Sequence, residues 1–273
     1  MKVILDSHTH IDNKGSLGIG IDHESPLEFL DFKSLIEEKQ LGVLANAACA
    51  SEYEELSQIK GIFISFGIHP WNADEFCEEN NQKGGSREQT IEQYIHTKVQ
   101  ELKDYYRKAH AIGEIGMDSV WCACDLTLQK LLFREQLSMA VELQKPIVLH
   151  TKGQEKEIAD ILKDYSLKKL VHWYSCEEHL KSFIDQDCYF TVGPDHGFNP
   201  AVKKLIHAVP LNRLLVETDG ISAVEWATGR KVNASEIPTI LKETIQAIAA
   251  VKGVSPETAE IRLEENFYRY LSV

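Results

Sequence analysis

AIGEIGMDSVWCACDLTLQKLLFREQLSMAVELQKPIVLH, residues 111–150, is the stretch on which the fold turns. Two short runs, AIGEIG (111–116) and PIVLH (146–150), flank a longer one, LTLQKLLFREQLSMAVELQ (126–144). The short runs are near-continuously apolar, as expected of strands covered on both sides. In the long run, Leu128, Leu131, Leu132, Glu135 and Met139 trace an imperfect stripe close to helical period. The reading is therefore strand, helix, strand.

The same unit repeats outward in both directions. Further strand-like runs are VILDSH (3–8), GVLANAA (42–48), GIFISFG (61–67), KLVHW (169–173), CYFTVG (188–193) and LLVETD (214–219). Helical patterns lie near 26–40, 88–108, 155–165, 177–186, 200–208 and 236–251. A last helix opens with Ser255 as N-cap and Pro256 at its first position. Eight alternations predict an α/β fold, a single (β/α)8 TIM-type barrel. The 273 residues fit one barrel of about 250 residues or two domains of about 150. No linker divides the chain, so a single domain over 1–273 is expected. The polar stretch 73–89 reads as a surface loop between the third strand and the third helix.

Composition narrows the function. With 43% apolar and 26% charged residues, the chain is ordinary globular protein. The net charge of −13 repels polyanions at long range. That excludes a protein that coats duplex nucleic acid, which needs a basic surface. It leaves room for an enzyme that takes one phosphodiester into a small pocket, where a bound divalent cation reverses the field. No run of about 18 apolar residues exists, and the N-terminus turns polar after five residues, so neither a membrane span nor a signal peptide is expected. Cysteines 49, 77, 122, 124, 176 and 188 fit neither a disulfide scaffold nor a zinc ribbon. All six read as reduced, in a cytoplasmic protein.

Metal-binding residue types recur where strands hand over to loops. His8 and His10 are two apart, which puts both imidazoles on one face of an extended chain. Glu114, His150, His172 and Asp219 occupy the corresponding ends of the fourth, fifth, sixth and eighth strands. In barrels of this class that end holds the active site. A lone strand histidine is usually structural; the joint pattern is what points to metal. Mixed imidazole and carboxylate ligands suit Zn²⁺, Mn²⁺, Fe²⁺, Ni²⁺ or hydrated Mg²⁺, not a thiolate site or a calcium cage. Six ligands are too many for one hydrolytic ion with an open position. They suit two divalent ions sharing a carboxylate, about 3.5–4 Å apart.

These residues stand in motifs. DSHTHID (6–12), GIHPW (67–71), GEIGMD (113–118), Gln129, Phe133 and Gln136 leading into KPIVLH (145–150), VHWYSC (171–176), YFTVGP (189–194), LLVETDG (214–220) and ENFYRYL (265–271) follow in a fixed order. Together they resemble the TatD-type metal-dependent deoxyribonucleases, a branch of the amidohydrolase-like barrels, over nearly the whole chain. The resemblance implies hydrolysis of nucleic acid phosphodiesters with two divalent ions (Mg, Mn or Zn), with DNA as substrate, as single strands or 3′ ends. It implies that His8, His10 and Asp219 bind one ion, that His150 and His172 bind the other, and that Glu114 bridges them. Asp219 would also orient or deprotonate the attacking water. The catalytic residues expected are thus Asp219 and Glu114. No protein partner and no membrane role follows.

Some positions depart from the family's pattern. Thr151-Lys152-Gly153 replaces Ser-Arg-Asp, so Lys152 keeps a positive charge for phosphate but not a bidentate fork. Trp173-Tyr174-Ser175-Cys176 replaces Cys-Phe-Ser-Gly, and Gly220-Ile221-Ser222 replaces a small residue, Pro and Tyr. The resemblance places His69 near the substrate, and Trp71 and Tyr174 are candidates to stack on bases. Asp195 and His196 touch substrate or support a ligand in the functional reading, and Glu217 orients a ligand. Arg230 and Lys231 offer phosphate contacts or form a solvated turn. His23, His96, His110, His179 and His207 are expected at the surface or in packing.

Alternatives on the same barrel are a phosphatase or an amide hydrolase, since fold does not fix chemistry. An amidohydrolase often bridges its ions with a carboxylated lysine, whereas Glu114 takes that place here. A non-catalytic docking subunit, or a nuclease active only within a multi-protein defence or repair assembly, are further readings.

Overall fold

The computed structural model describes residues 3–11, 26–76 and 87–273. His23, Cys77 and most of the polar stretch 73–89 lie outside them. The five described cysteines are free thiols.

Strands and helices alternate as β1 (Ile4–Thr9), α1 (Pro26–Glu37), β2 (Leu41–Ala47), α2 (Ala50–Leu56), β3 (Phe63–Phe66), α3 (Arg87–Glu101), α4 (Lys103–Lys108), β4 (Ala111–Asp118) and α5 (Leu126–Leu143). They continue as β5 (Ile147–Lys152), α6 (Glu155–Leu162), β6 (Lys169–Val171), α7 (Leu180–Ile184), β7 (Tyr189–Val192), α8 (Pro200–Ala208), β8 (Leu214–Val216), α9 (Ile221–Thr228), α10 (Ile237–Lys252) and α11 (Pro256–Leu271). The eight strands form one sheet in sequential order, each parallel to the next. This is the TIM barrel that the alternation predicts. Two details differ from the sequence reading. The helix expected over 88–108 is two, broken at Leu102, which leaves helical geometry at φ −92°, ψ 3°. The one expected over 177–186 is a short helix confined to Leu180–Ile184.

The residues after β8 return to β1 through one side chain and one backbone bond. The backbone N–H of Thr218 donates to Asp6 Oδ1 (3.0 Å), and that of Asp219 to the carbonyl of His8 (3.1 Å). Burial lifts the Asp6 carboxyl to about 7, against the opposing hydrogen bonds from Thr218.

The core has two layers. Most buried apolar residues pack between the strands and the outer helices. A second cluster takes Leu5, Leu44, Ala111, Val148, Leu170, Tyr189 and Leu215, one from each of seven strands, and seats them on Phe267 and Tyr270 of α11. None lies beyond the midpoint of its strand, so α11 plugs the bottom of the barrel. Tyr270 Oη donates to the Ile147 carbonyl (2.8 Å) and Asn266 Nδ2 to that of Leu214 (2.8 Å), locking the plug to strand starts. That accounts for ENFYRYL. The opposite end is left for polar residues. No helix among the described residues is long and apolar enough to cross a membrane.

Candidate metal centre

Seven polar side chains converge at the strand ends. His8 belongs to β1, Glu114 to β4 and His150 to β5. His10, His69, His172 and Asp219 follow β1, β3, β6 and β8 within three residues. All but His10 and Asp219 are fully or nearly fully buried. Close backbone approach makes this possible. Gly116 has φ 151°, and a Cβ there would stand 2.0 Å from the His150 carbonyl oxygen. Asp219 itself is left-handed (φ 59°), and the following Gly220 (φ 91°) leaves 3.0 Å between a would-be Cβ and the His10 carbonyl oxygen.

Glu114 stands at the centre, and its two oxygens face different neighbours. Oε2 lies 3.4 Å from both His8 Nε2 and His10 Nε2. Oε1 lies 2.5 Å from His172 Nε2, 2.6 Å from His150 Nδ1 and 3.4 Å from His69 Nε2. Asp219 Oδ1 closes the first side, 3.3 Å from His8 Nε2 and 3.6 Å from His10 Nε2. Three sets of donor atoms each fall within 4.8 Å of one another: His8, His10 and Asp219; His8, Glu114 and His172; His69, Glu114 and His150. Both ring nitrogens of His8 are buried without a hydrogen-bond partner. An orphaned imidazole between two carboxylates is poorly explained by packing, since buried polar groups are normally paired. It fits a divalent cation, and the imidazole–carboxylate donor set suits the ions named above.

A second ring of residues aims the first. Asp118 Oδ2 accepts from His150 Nε2 (2.8 Å) and Trp71 Nε1 (2.7 Å), while Oδ1 accepts the backbone N–H groups of Val120 (2.7 Å) and Trp121 (2.8 Å). With Nε2 committed to Asp118, His150 presents Nδ1 to the centre. Glu217 Oε1 accepts the Trp173 N–H (2.7 Å), and its Oε2 stands 3.7 Å from His172 Nδ1. The glutamines of α5 serve the loops. Gln129 Oε1 accepts the Asp118 N–H (2.7 Å) and its Nε2 donates to the Asp118 carbonyl (3.0 Å). Gln136 does the same for Ile68, one residue before His69 (2.7 and 3.0 Å). The buried face of α5 is thus Leu128, Gln129, Leu132, Phe133, Gln136, Leu137, Met139 and Ala140. Glu135 and Leu131 lie off it, which explains the imperfect stripe.

The charges at the centre are strongly coupled. Burial and His172 both disfavour a proton on His8, but the Asp219 and Glu114 carboxylates outweigh them and lift it to about 9. Burial would raise Glu114; the surrounding imidazoles, His172 and His69 foremost, hold it well below the usual carboxylate range. His150 and His172 are lifted against burial, His150 chiefly by Asp118 and His172 by Glu114. His69 differs: burial pushes it down to about 4. Its Nδ1 accepts the Trp71 N–H (3.3 Å), so the neutral ring carries its proton on Nε2, facing the centre as a donor.

Among the other expected residues, the structure sorts strand ends from packing. Tyr174 is a correction. It is 1% exposed, packs edge-on against Phe183 and Phe190, and donates its hydroxyl to the Glu178 carbonyl, so no base can reach its ring. Trp71 is half-buried, with its indole committed to Asp118. Lys152 is half-buried and donates to Ser175 Oγ. Asp195 is fully buried and accepts from Trp173 Nε1 (3.2 Å) and Asn199 Nδ2 (2.8 Å), so it supports a loop. Arg230 pairs with Glu236 and Lys231 with Glu225, each at 2.7 Å in exposed positions, as a solvated turn would. His110 Nδ1 accepts the Ile64 N–H (3.1 Å) and is structural. Asp118 is the residue that sequence reasoning passed over. Its signal was its spacing, four residues after Glu114 on the same strand, hence on the same face.

The chain is also similar to known proteins. The family described as TatD related DNase matches residues 5–272. An uncharacterized metal-dependent hydrolase of Buchnera aphidicola is 26% identical over 289 residues, covering 99% of this chain and 96% of that protein. A human 3′–5′ RNA nuclease, TATDN2, is 27% identical over 232 residues, covering 81% of this chain and 28% of the human protein. The crystal structure of YJJV, a TatD homolog from Escherichia coli, superposes with a TM-score of 0.72 at 19% identity, covering 99% and 98% of the two chains. The chain belongs to the TatD-related DNase family and is a metal-dependent hydrolase.

Proposed function

We propose that this hydrolase cleaves phosphodiester bonds in DNA, shortening single strands or 3′ ends, with two divalent ions held by His8, His10 and Asp219 on one side and by His150 and His172 on the other. The observation that carries the reading is Glu114, whose Oε2 faces the first group and Oε1 the second, as a bridging carboxylate must. Divalent ions in such a site supply Lewis acidity toward phosphoryl oxygens and make water a nucleophile at neutral pH.

The protein's own groups do the rest. Asp219, partly open to solvent, accepts the proton of the attacking water. His69 offers its Nε2–H to a phosphoryl oxygen, and its low pKa keeps that donor neutral across the working range. Asp118 holds the His150 ring in place by a hydrogen bond, and the Glu217 carboxylate faces His172 Nδ1 at 3.7 Å. Lys152 stands at the strand-end face with a charge for a flanking phosphate. The acidic surface is no obstacle, because the attraction is local.

The test is hydrolysis of a 3′- and a 5′-labelled single-stranded DNA oligomer by EDTA-stripped protein, with Mg²⁺, Mn²⁺ and Zn²⁺ restored separately. Glu114→Ala controls for contaminating nuclease. Shortening from the 3′ end that needs metal and disappears in the variant supports the reading. No cleavage with any metal, despite two bound ions, refutes it. An RNA oligomer belongs in the same assay because the human relative is an RNA nuclease.

A further inference from the structure

All four tryptophans of the chain lie in the segments that follow strands, after β3, β4, β6 and β8, on the face that carries the metal centre. Trp71 and Trp121 share Asp118 as acceptor, and Trp173 and Trp226 are in ring contact. In each case one indole is sheltered and the other stands in solvent. Trp71 is half-buried and Trp121 is 58% exposed; Asp118, the partner of His150, accepts the indole N–H of Trp71 and the backbone N–H of Trp121. Trp173 is buried, directly follows His172 and donates its backbone N–H to Glu217; Trp226, 63% exposed, stands edge-on to its ring with centroids 6.2 Å apart. Scattered exposed apolar residues need no explanation. Two exposed indoles in the segments that follow β4 and β8, strands on opposite sides of the barrel whose ends carry the metal centre, do.

From this arrangement we infer that Trp121 and Trp226 are stacking platforms for unpaired bases of a single-stranded nucleic acid, one on each side of the phosphodiester at the centre. The inference rests on the phosphodiesterase reading above and adds to it how the polymer is gripped. Charge points the same way. At net −13 the chain repels a polyanion at long range, and Arg230 and Lys231 are paired with carboxylates. Base–aromatic stacking does not depend on charge, and every base has a face to offer. A base held in a duplex presents no such face, so the platforms select single strands.

The experiment measures binding of a fluorescein-labelled dT 12-mer by anisotropy in the Glu114→Ala background with Mg²⁺ present, where the oligomer stays intact. Trp121→Ala and Trp226→Ala are each expected to weaken binding about tenfold. Trp226→Phe, which keeps an aromatic face, is expected to retain most of the affinity. An abasic 12-mer of equal charge is expected to bind weakly and to be indifferent to both substitutions. In the Glu114 background, both alanine variants should cleave bis(p-nitrophenyl) phosphate within twofold of the parent while losing kcat/KM on the oligomer. Affinity for the dT 12-mer within twofold of the parent, or an abasic strand bound as tightly as dT, overturns the stacking role and leaves the phosphodiesterase reading standing. A parent protein that cleaves the small diester but neither binds nor cuts the oligomer overturns both the platforms and the nucleic acid substrate.

Discussion

Asp118→Asn is the most informative substitution, because it changes one atom and reverses a tautomer. The carboxylate accepts four hydrogen bonds, two on each oxygen. If the amide keeps its oxygen toward Val120 and Trp121, its NH₂ meets the N–H donors of Trp71 and His150. The imidazole can answer only by accepting at Nε2 and carrying its proton on Nδ1. That atom lies 2.6 Å from Glu114 Oε1, where a metal ligand must be unprotonated. If the amide flips, two backbone N–H groups lose their acceptor, at about 1–3 kcal/mol each. Losing the partner of a metal-ligating histidine lowers metal affinity about 10- to 100-fold, or about 1.4–2.8 kcal/mol. Calorimetric titration of stripped protein with Mn²⁺ should therefore show two sites in the parent and, in the variant, one of them weakened by that factor. Circular dichroism should be unchanged. Two ions bound with parental affinity would refute the tautomer argument and the assignment of Nδ1 as the ligating atom.

Other expectations follow from the same geometry. Glu114→Ala should lower hydrolysis roughly a thousandfold or more, since several kcal/mol of transition-state stabilisation depend on the bridged pair, with the far-ultraviolet dichroism retained; residual turnover within tenfold would sink the bridging role. Metal affinity should rise with pH between 7 and 9, about tenfold per unit for each proton displaced, because His8 holds its proton to about 9 in the metal-free protein; a flat profile in a pH series of Mn²⁺ titrations would contradict it. The same shift has a stability consequence: a pKa raised in the folded state contributes stability below about 6.5 that is lost as pH rises through about 9, so His8 should make the metal-free barrel melt lower at pH 9.5 than at pH 7. Tyr174→Phe should leave kcat/KM on an oligomer within twofold and reduce stability by about 1 kcal/mol through its lost bond to the Glu178 carbonyl; a large kinetic effect would restore the base-stacking role.

Much of this was legible in the sequence, and the reason is periodicity. Alternation of strand and helix is local information, repeated eight times, and it determines a barrel whatever the loops do. Position within a strand is local as well, so a histidine or carboxylate at the end of an apolar run already announces the mouth. His8, Glu114, His150, His172 and Asp219 could be picked out on that basis without knowing a single distance.

What the sequence could not supply is direction and burial. Tyr174 and Trp71 read alike as aromatic residues after a strand, yet Tyr174 turns inward onto Phe183 and Phe190. Trp121 and Trp226 are ordinary letters until the fold leaves them in solvent. Gln129 and Gln136 interrupt the apolar face of a helix, and only their contacts with Asp118 and Ile68 show why. The division of Glu114 between two sets of ligands is the clearest case. Its oxygens are chemically identical, and the chain names only the residue. Which oxygen meets which imidazole depends on where four other strands end, and that is decided only when the barrel closes.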